Sequence, residues 1–136
     1  MNKLFRALIF ALLFFMGSSW LSFQMATPLF ISLSELEQVR FSWFGLPIIG
    51  TFAFTGLMGA VAFSLLYSLM KRTQIMRSAK FILIPAFLMG CLGLIVNYAN
   101  YYIVIQPNNL SPCPAKIGYG KNLLVDYVKD VSFCEK

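Results

Sequence analysis

The chain has 136 residues, of which 59% are hydrophobic and only 12% are charged, and it contains no histidine. Soluble domains usually carry about twice that charged fraction, so the composition favours one small membrane domain. The net charge of +6 does not indicate a nucleic-acid partner, because the basic residues flank apolar runs and form no stripe with stacking aromatics.

The first apolar run extends from Leu4 to Leu33. Residues 5–24 alone would cross a bilayer, since about 20 helical residues span roughly 30 Å of hydrocarbon. Pro28 is expected to end or kink this helix. A basic start followed by an apolar core is also typical of a signal peptide, although Gly17 and Ser19 match a cleavage site poorly. We therefore predict a first transmembrane helix, with a removed signal peptide as the alternative.

A polar loop, residues 25–45, follows the first helix. Ser34 and Glu37 have the spacing of a capping box, which favours a short interfacial helix. Trp43 suits the level of the lipid headgroups. A re-entrant segment over residues 24–40 is the alternative to an interfacial one.

Two further apolar runs, residues 46–69 and 81–103, are long enough to span a membrane with some tilt. The loop between them, residues 70–80, carries four positive charges and no negative one. We predict a transmembrane domain over residues 1–105 and a polar tail over residues 106–136.

Cys113 and Cys134 both lie in this tail. A disulfide between them would close a loop, worth roughly 3 kcal/mol in the chain-entropy model, and a tail this short has no self-sufficient core without such a bond. The spacing is not that of a redox-active Cys-x-x-Cys pair. Cys91, in the third span, is expected to be an apolar packing residue. The tail segment "NLLVDYVKD" is either a short helix or a strand.

The charge distribution predicts the orientation. With the N-terminus and residues 70–80 in the cytoplasm, the inner side holds six basic residues and no acid, and all five acids lie outside. The positive-inside rule favours this arrangement. The predicted fold is an all-α integral protein of the bacterial inner membrane, with three transmembrane helices, the N-terminus in, and a short disulfide-closed periplasmic tail.

Small residues repeat along the second and third helices, and such stripes let helix backbones approach closely. Thr51, Thr55 and Gly59 recur at every fourth position of the second helix, and Gly90 and Gly93 share one face of the third. We predict that the two stripes pack on each other. A homo-oligomer or a partner's transmembrane helix is the alternative.

Two amides, Asn97 and Asn100, lie near the outer end of the third helix. Polar residues at depth usually face a partner or a cavity. The alternatives are interfacial anchoring, helix–helix hydrogen bonding and a recognition site at the outer leaflet.

Catalysis and active transport are disfavoured. The spans carry no acid, base or histidine away from their ends, and proton-coupled transporters usually need one. The sequence has no metal-ligand cluster, no phosphate-binding glycine loop and no histidine base for a serine nucleophile. We predict a protein that is not an enzyme and needs no cofactor or metal.

The tail "CPAKIGYGKNLLVDYVKDVSFC" resembles the ending of a family of small, uncharacterised enterobacterial inner-membrane proteins, a domain of unknown function. The resemblance implies several apolar spans and paired cysteines rather than an activity. The matching positions are Cys113, Lys116, Tyr127, Val128, Asp130 and Cys134.

The architecture is also similar to that of immunity proteins against pore-forming bacteriocins and membrane-depolarising toxins. This resemblance implies, beyond the lipid bilayer, a toxin partner met through transmembrane helices and outward loops. An accessory subunit of a cell-envelope complex is the alternative function. The residues expected to contact a partner are outward charges and amides: Glu35, Glu37, Arg40, Asn97, Asn100, Lys121, Asp126, Lys129 and Asp130.

Overall fold

The computed structural model describes residues 2–32, 34–71, 78–114 and 124–134. Three long helices dominate it. Each is long and apolar enough to cross a membrane when counted with its flanking turns, so the three predicted spans are confirmed and fit a multi-pass membrane protein. The helices are α1 (Asn2–Ala26), α2 (Leu46–Lys71) and α3 (Ala79–Ala99).

The C-terminal ends of α1 and α3 both continue into turns that are not α-helical. A 3-10 turn, Thr27–Leu29, follows α1 and contains Pro28, which has no backbone N–H with which to continue the α-helical pattern. A π-helical segment, Asn100–Ile105, continues α3, with Gln106 N donating to Tyr101 O over 2.9 Å. The prediction that Pro28 ends the first helix is confirmed.

Helix α2 lies between the other two and runs antiparallel to both. Near its C-terminus, Ala62 packs against Leu8 and Ala11 of α1. Near its N-terminus, Phe52 packs against Val96 of α3. This order places the beginnings of α1 and α3 and the end of α2 at one end of the bundle, which we call the basic end after its exposed residues Lys3, Arg6, Lys71 and Lys80.

A small antiparallel sheet lies at the opposite end. Its strands are β1 (Val39–Phe41), β2 (Ser111–Pro112) and β3 (Val125–Val128), with β3 in the centre. In the described part of the tail segment that was open between helix and strand, Val125–Val128 form a strand, which adds a minor β element to the mainly helical fold.

The predicted interfacial helix at Ser34 and Glu37 is wrong. Residues 34–35 form a turn, and the chain then extends into β1, where Val39 pairs with Tyr127 and Phe41 with Val125. The alternating Val39 and Phe41 side chains are almost completely buried. Burial of these two side chains against a distant strand outweighs the local capping preference.

The first loop and the tail share one hydrophobic core. Val39 and Phe41 pack there with Val104, Ile105 and Tyr127. The predicted boundary at residue 105, between the transmembrane domain and the tail, thus separates segments that pack together in the fold. We call this unit the cap, comprising the described residues of 27–45 and of 100–134.

A disulfide closes the cap. Cys113 and Cys134 are bonded, with their Cα atoms 5.7 Å apart, which confirms the predicted pair. Cys113 N also donates to Asp126 O over 2.8 Å, next to the pairing of β2 with β3. Cys91 is exposed on α3, so the expectation that it packs inside the bundle is wrong.

The small residues of α2 face both neighbours. Gly59 lies against the Phe15 ring of α1, and the Thr55 hydroxyl is 3.1 Å from that of Ser22. Gly90 and Gly93 of α3 do meet α2. The prediction that the two stripes pack on each other is therefore right for the α3 stripe and wrong for Thr55 and Gly59.

Thr51 belongs to the same misassigned stripe. Its hydroxyl donates to Pro47 O over 2.7 Å, and the residue lines a groove between α1 and α2. Positions four apart share one face of a helix, and in the central helix this face turns toward α1. Gly56, one position further round, turns toward α3, where it faces Pro85 and Met89.

Candidate binding face

The cap is anchored to the helices by two buried amides. Asn97 is 0% exposed. Its Oδ1 accepts from Ser42 N over 3.1 Å, and its Nδ2 donates to Ser42 O over 2.8 Å. The side chain thus pairs with both backbone groups of the residue that follows β1, as a neighbouring strand would.

Asn100 ties α3 to the end of α1. It is also 0% exposed, and its Nδ2 donates over 2.8 Å to Met25 O, one of the carbonyls that a helix C-terminus leaves without an intrahelical partner. Its Oδ1 is buried and has no hydrogen-bond partner among the described residues. Burial removes Asn97 and Asn100 from the candidate binding face. The helix–helix hydrogen-bonding alternative is right for Asn100, whereas Asn97 bonds to a loop residue, which none of the alternatives named.

An aromatic cluster surrounds Phe41, which is 0% exposed. The ring centroids of Tyr101 and Trp43 lie 4.8 and 5.2 Å from that of Phe41. Tyr98 and Tyr127 follow at 6.0 and 6.2 Å. Trp43 keeps half its surface exposed, as expected for an aromatic residue at the membrane interface. The cluster therefore marks the level at which the cap meets the helices.

Two of the charges predicted to bind a partner face each other instead. Arg40 and Asp126 are opposite one another in the β1–β3 register, with Nε and Oδ1 3.5 Å apart. Both side chains keep solvent contact, 46% and 30% exposed. An ion pair this accessible adds little stability. Asp126 Oδ1 is itself buried, so Arg40 is the member of the pair that stays open to an incoming partner.

Three further charges are exposed at one end of the sheet. Because β1 and β3 are antiparallel, Glu35 and Glu37, which precede β1, come to the same end as Lys129, which follows β3. Asp130 is exposed too, but its Oδ1 accepts from Ser132 N over 3.0 Å. Lys121 lies outside the described residues.

These residues define a mixed-charge face of the cap. Its members are Glu35, Glu37, Arg40, Asp126, Lys129 and Asp130. Mixed charges on a rigid support select and orient a partner more than they supply bulk affinity. Among the described residues there is no group of three or more His, Cys, Asp or Glu side chains that could hold a metal ion.

The strand pairing between the first loop and the tail was not predicted from the sequence. The residues that create it are Val39, Phe41, Val125 and Tyr127. The available signal was alternation, since each short segment places bulky side chains two positions apart, as a strand with one buried face does.

Burial raises the pKa of the Tyr127 hydroxyl above its ordinary value of 10.0, and the nearby Tyr101 adds to the rise. At high pH the unfolded chain loses this proton before the folded cap does. The unfolded state then binds fewer protons than the folded state, so the unfolding free energy falls as the pH rises above about 10.

We expect Tyr127→Phe to make the fall in stability above pH 10 shallower, because phenylalanine keeps the buried ring and has no proton to lose. Melting followed by near-ultraviolet circular dichroism between pH 9 and 11 would test this in detergent. If the stabilities of the wild type and of Tyr127→Phe fall in parallel as the pH rises, groups other than Tyr127 cause the loss of stability at high pH.

Comparison of the chain with protein-family models, with curated proteins and with solved structures finds no match. The geometry alone therefore defines the class of protein. It is a bundle of three helices that are long and apolar enough to span a membrane, with a disulfide-closed cap.

Proposed function

We propose that this chain is an immunity protein of the bacterial inner membrane, which neutralises a membrane-acting toxin by binding it directly on the periplasmic side. The mixed-charge face of the cap is the contact surface. In this proposal the protein acts by binding to the toxin and blocking it, and it catalyses no reaction.

The observation that carries the proposal is the construction of the cap. A loop and a tail from distant parts of the chain are joined by strand pairing and a disulfide, and buried amides bind the cap to α1 and α3. A surface held in this way loses little conformational freedom on binding. It also stands over the helix ends, where a toxin entering the bilayer would pass.

The decisive test is protection in living bacteria. The product of the neighbouring open reading frame is expressed and directed to the periplasm, and the membrane potential is followed with and without this protein. We expect depolarisation that this protein prevents. A harmless neighbour, or damage that this protein leaves unchanged, would favour the alternative of an accessory subunit in an envelope complex.

Reversing the charges at Glu35 and Glu37 to lysine is expected to abolish protection while leaving the abundance of the protein unchanged, because both side chains are exposed. The matched control is Gln106→Lys, which adds a positive charge at another exposed position of the cap, outside the mixed-charge face, and should protect as the wild type does. Full protection by the Glu35 and Glu37 variant would place recognition within the spans.

A further inference from the structure

An apolar groove opens between α1 and α3 on the basic half of the bundle. At the cap end the two helices are joined by the Asn100–Met25 hydrogen bond. Toward the basic end they are separated by a groove of about 510 Å³, walled by Phe15 and Ser19 on α1 and by Phe81 and Met89 on α3. We propose that this groove binds one acyl chain of an anionic phospholipid, whose phosphate is held by Lys80 at its mouth.

The length of the groove matches one leaflet. It extends from Phe81 to Met89 along α3 and from Thr55 to Phe63 along α2, which at 1.5 Å per residue is about 12 Å. Half of a hydrocarbon core roughly 30 Å thick is about 15 Å. One acyl chain entering from the basic surface would therefore fill the groove and end near the bilayer centre.

The walls and floor of the groove are almost wholly apolar, since only Ser19 and Thr55 among its lining residues carry hydroxyls. The floor also offers little to a polar ligand, since the Thr55 hydroxyl already donates to Thr51 O and lies 3.1 Å from that of Ser22.

The charge at the mouth selects an anionic headgroup. Lys80 is exposed and directly precedes the groove residue Phe81. The ring of Phe81 lies 6.3 Å from that of Phe63, so Lys71, at the end of α2, lies further out, by about 12 Å along the helix axis. Every acid among the described residues lies in the cap, at the other end. A basic residue near a membrane surface favours an anionic lipid by about fivefold. The inference is independent of the proposed immunity function.

Native mass spectrometry tests the proposal on the whole chain in mild detergent. Phosphatidylglycerol and phosphatidylcholine with identical acyl chains are added in equal amounts. We expect one bound lipid per protein, with phosphatidylglycerol preferred. Lys80→Gln should reduce that preference about fivefold, whereas Lys129→Gln, a matched change in the cap, should leave it unaltered.

Ser19→Leu fills the groove and should reduce the binding of both lipids at least tenfold. Its matched control is Gly17→Leu, where nothing lies within 4 Å of the added Cβ and the residue lines the α1–α2 groove instead. Equal binding of the two lipids by the wild type, or unchanged binding by Ser19→Leu, overturns the proposal. So does loss of a dimer in Ser19→Leu, which would show that the groove holds a second copy of the chain.

Discussion

Replacing Asn97 by leucine is expected to reduce the unfolding free energy by about 1–3 kcal/mol. The amide pairs with Ser42 N and Ser42 O in a site with no solvent access. Leucine can replace neither hydrogen bond, but Ser42 O also accepts from Gly45 N over 3.1 Å and keeps that partner. The expected loss is therefore that of one buried partner rather than two. Ser42 directly follows β1, so the loss should loosen the attachment of the cap to α3.

The matched control for this prediction is Asn108→Leu. Asn108 is also an amide near the cap, and its Nδ2 donates to Val104 O over 2.7 Å, but the residue is exposed. Water can replace that bond, so we expect a loss below about 1 kcal/mol. Thermal melting in detergent would compare the two variants. Equal losses of unfolding free energy in the two variants would mean that burial does not determine how much the Asn97 amide stabilises the protein.

The helices and the disulfide could be predicted because their causes are local. A run of about 20 apolar residues specifies a span by itself, and Cys113 and Cys134 lie in a tail that needs a cross-link. The ends of the helices also followed local signals, such as Pro28 after α1. None of these features depends on which elements become neighbours in space.

The features that could not be predicted depend on such neighbours. A small-residue stripe shows that a helix face is packed but not against which helix, so Gly59 was assigned to α3 when it meets Phe15 of α1. Asn97 and Asn100 were placed among the candidate contact residues because nothing in the third helix shows that the first loop folds over them. The strand pairing of Val39 with Tyr127 joins the first loop to the tail. Alternation can indicate that each segment is a strand, but it does not show which strand pairs with which.

Gly56→Leu is expected to cost about 3 kcal/mol, at the upper end of the usual range for overpacking. A Cβ on Gly56 would overlap Pro85 O and lie 2.9 Å from Met89 Cβ. The carbonyl belongs to the backbone of α3 and cannot rotate away, so α2 and α3 would have to move apart. Gly56 is the point at which the α2 backbone approaches α3 closely, and separation there would strain the packing toward the cap.

Gly50→Leu is the control in the same helix. Nothing lies within 4 Å of a Cβ on Gly50, so the added side chain meets open space, and leucine also favours the helical backbone by up to about 1 kcal/mol. We expect a melting temperature equal to or above that of the wild type for Gly50→Leu and a marked decrease for Gly56→Leu. Similar melting temperatures for both variants would contradict a tight α2–α3 contact. If Gly56→Leu also makes Trp43, which is half exposed in the wild type, more accessible to an aqueous fluorescence quencher, strain at the helix crossing reaches the cap.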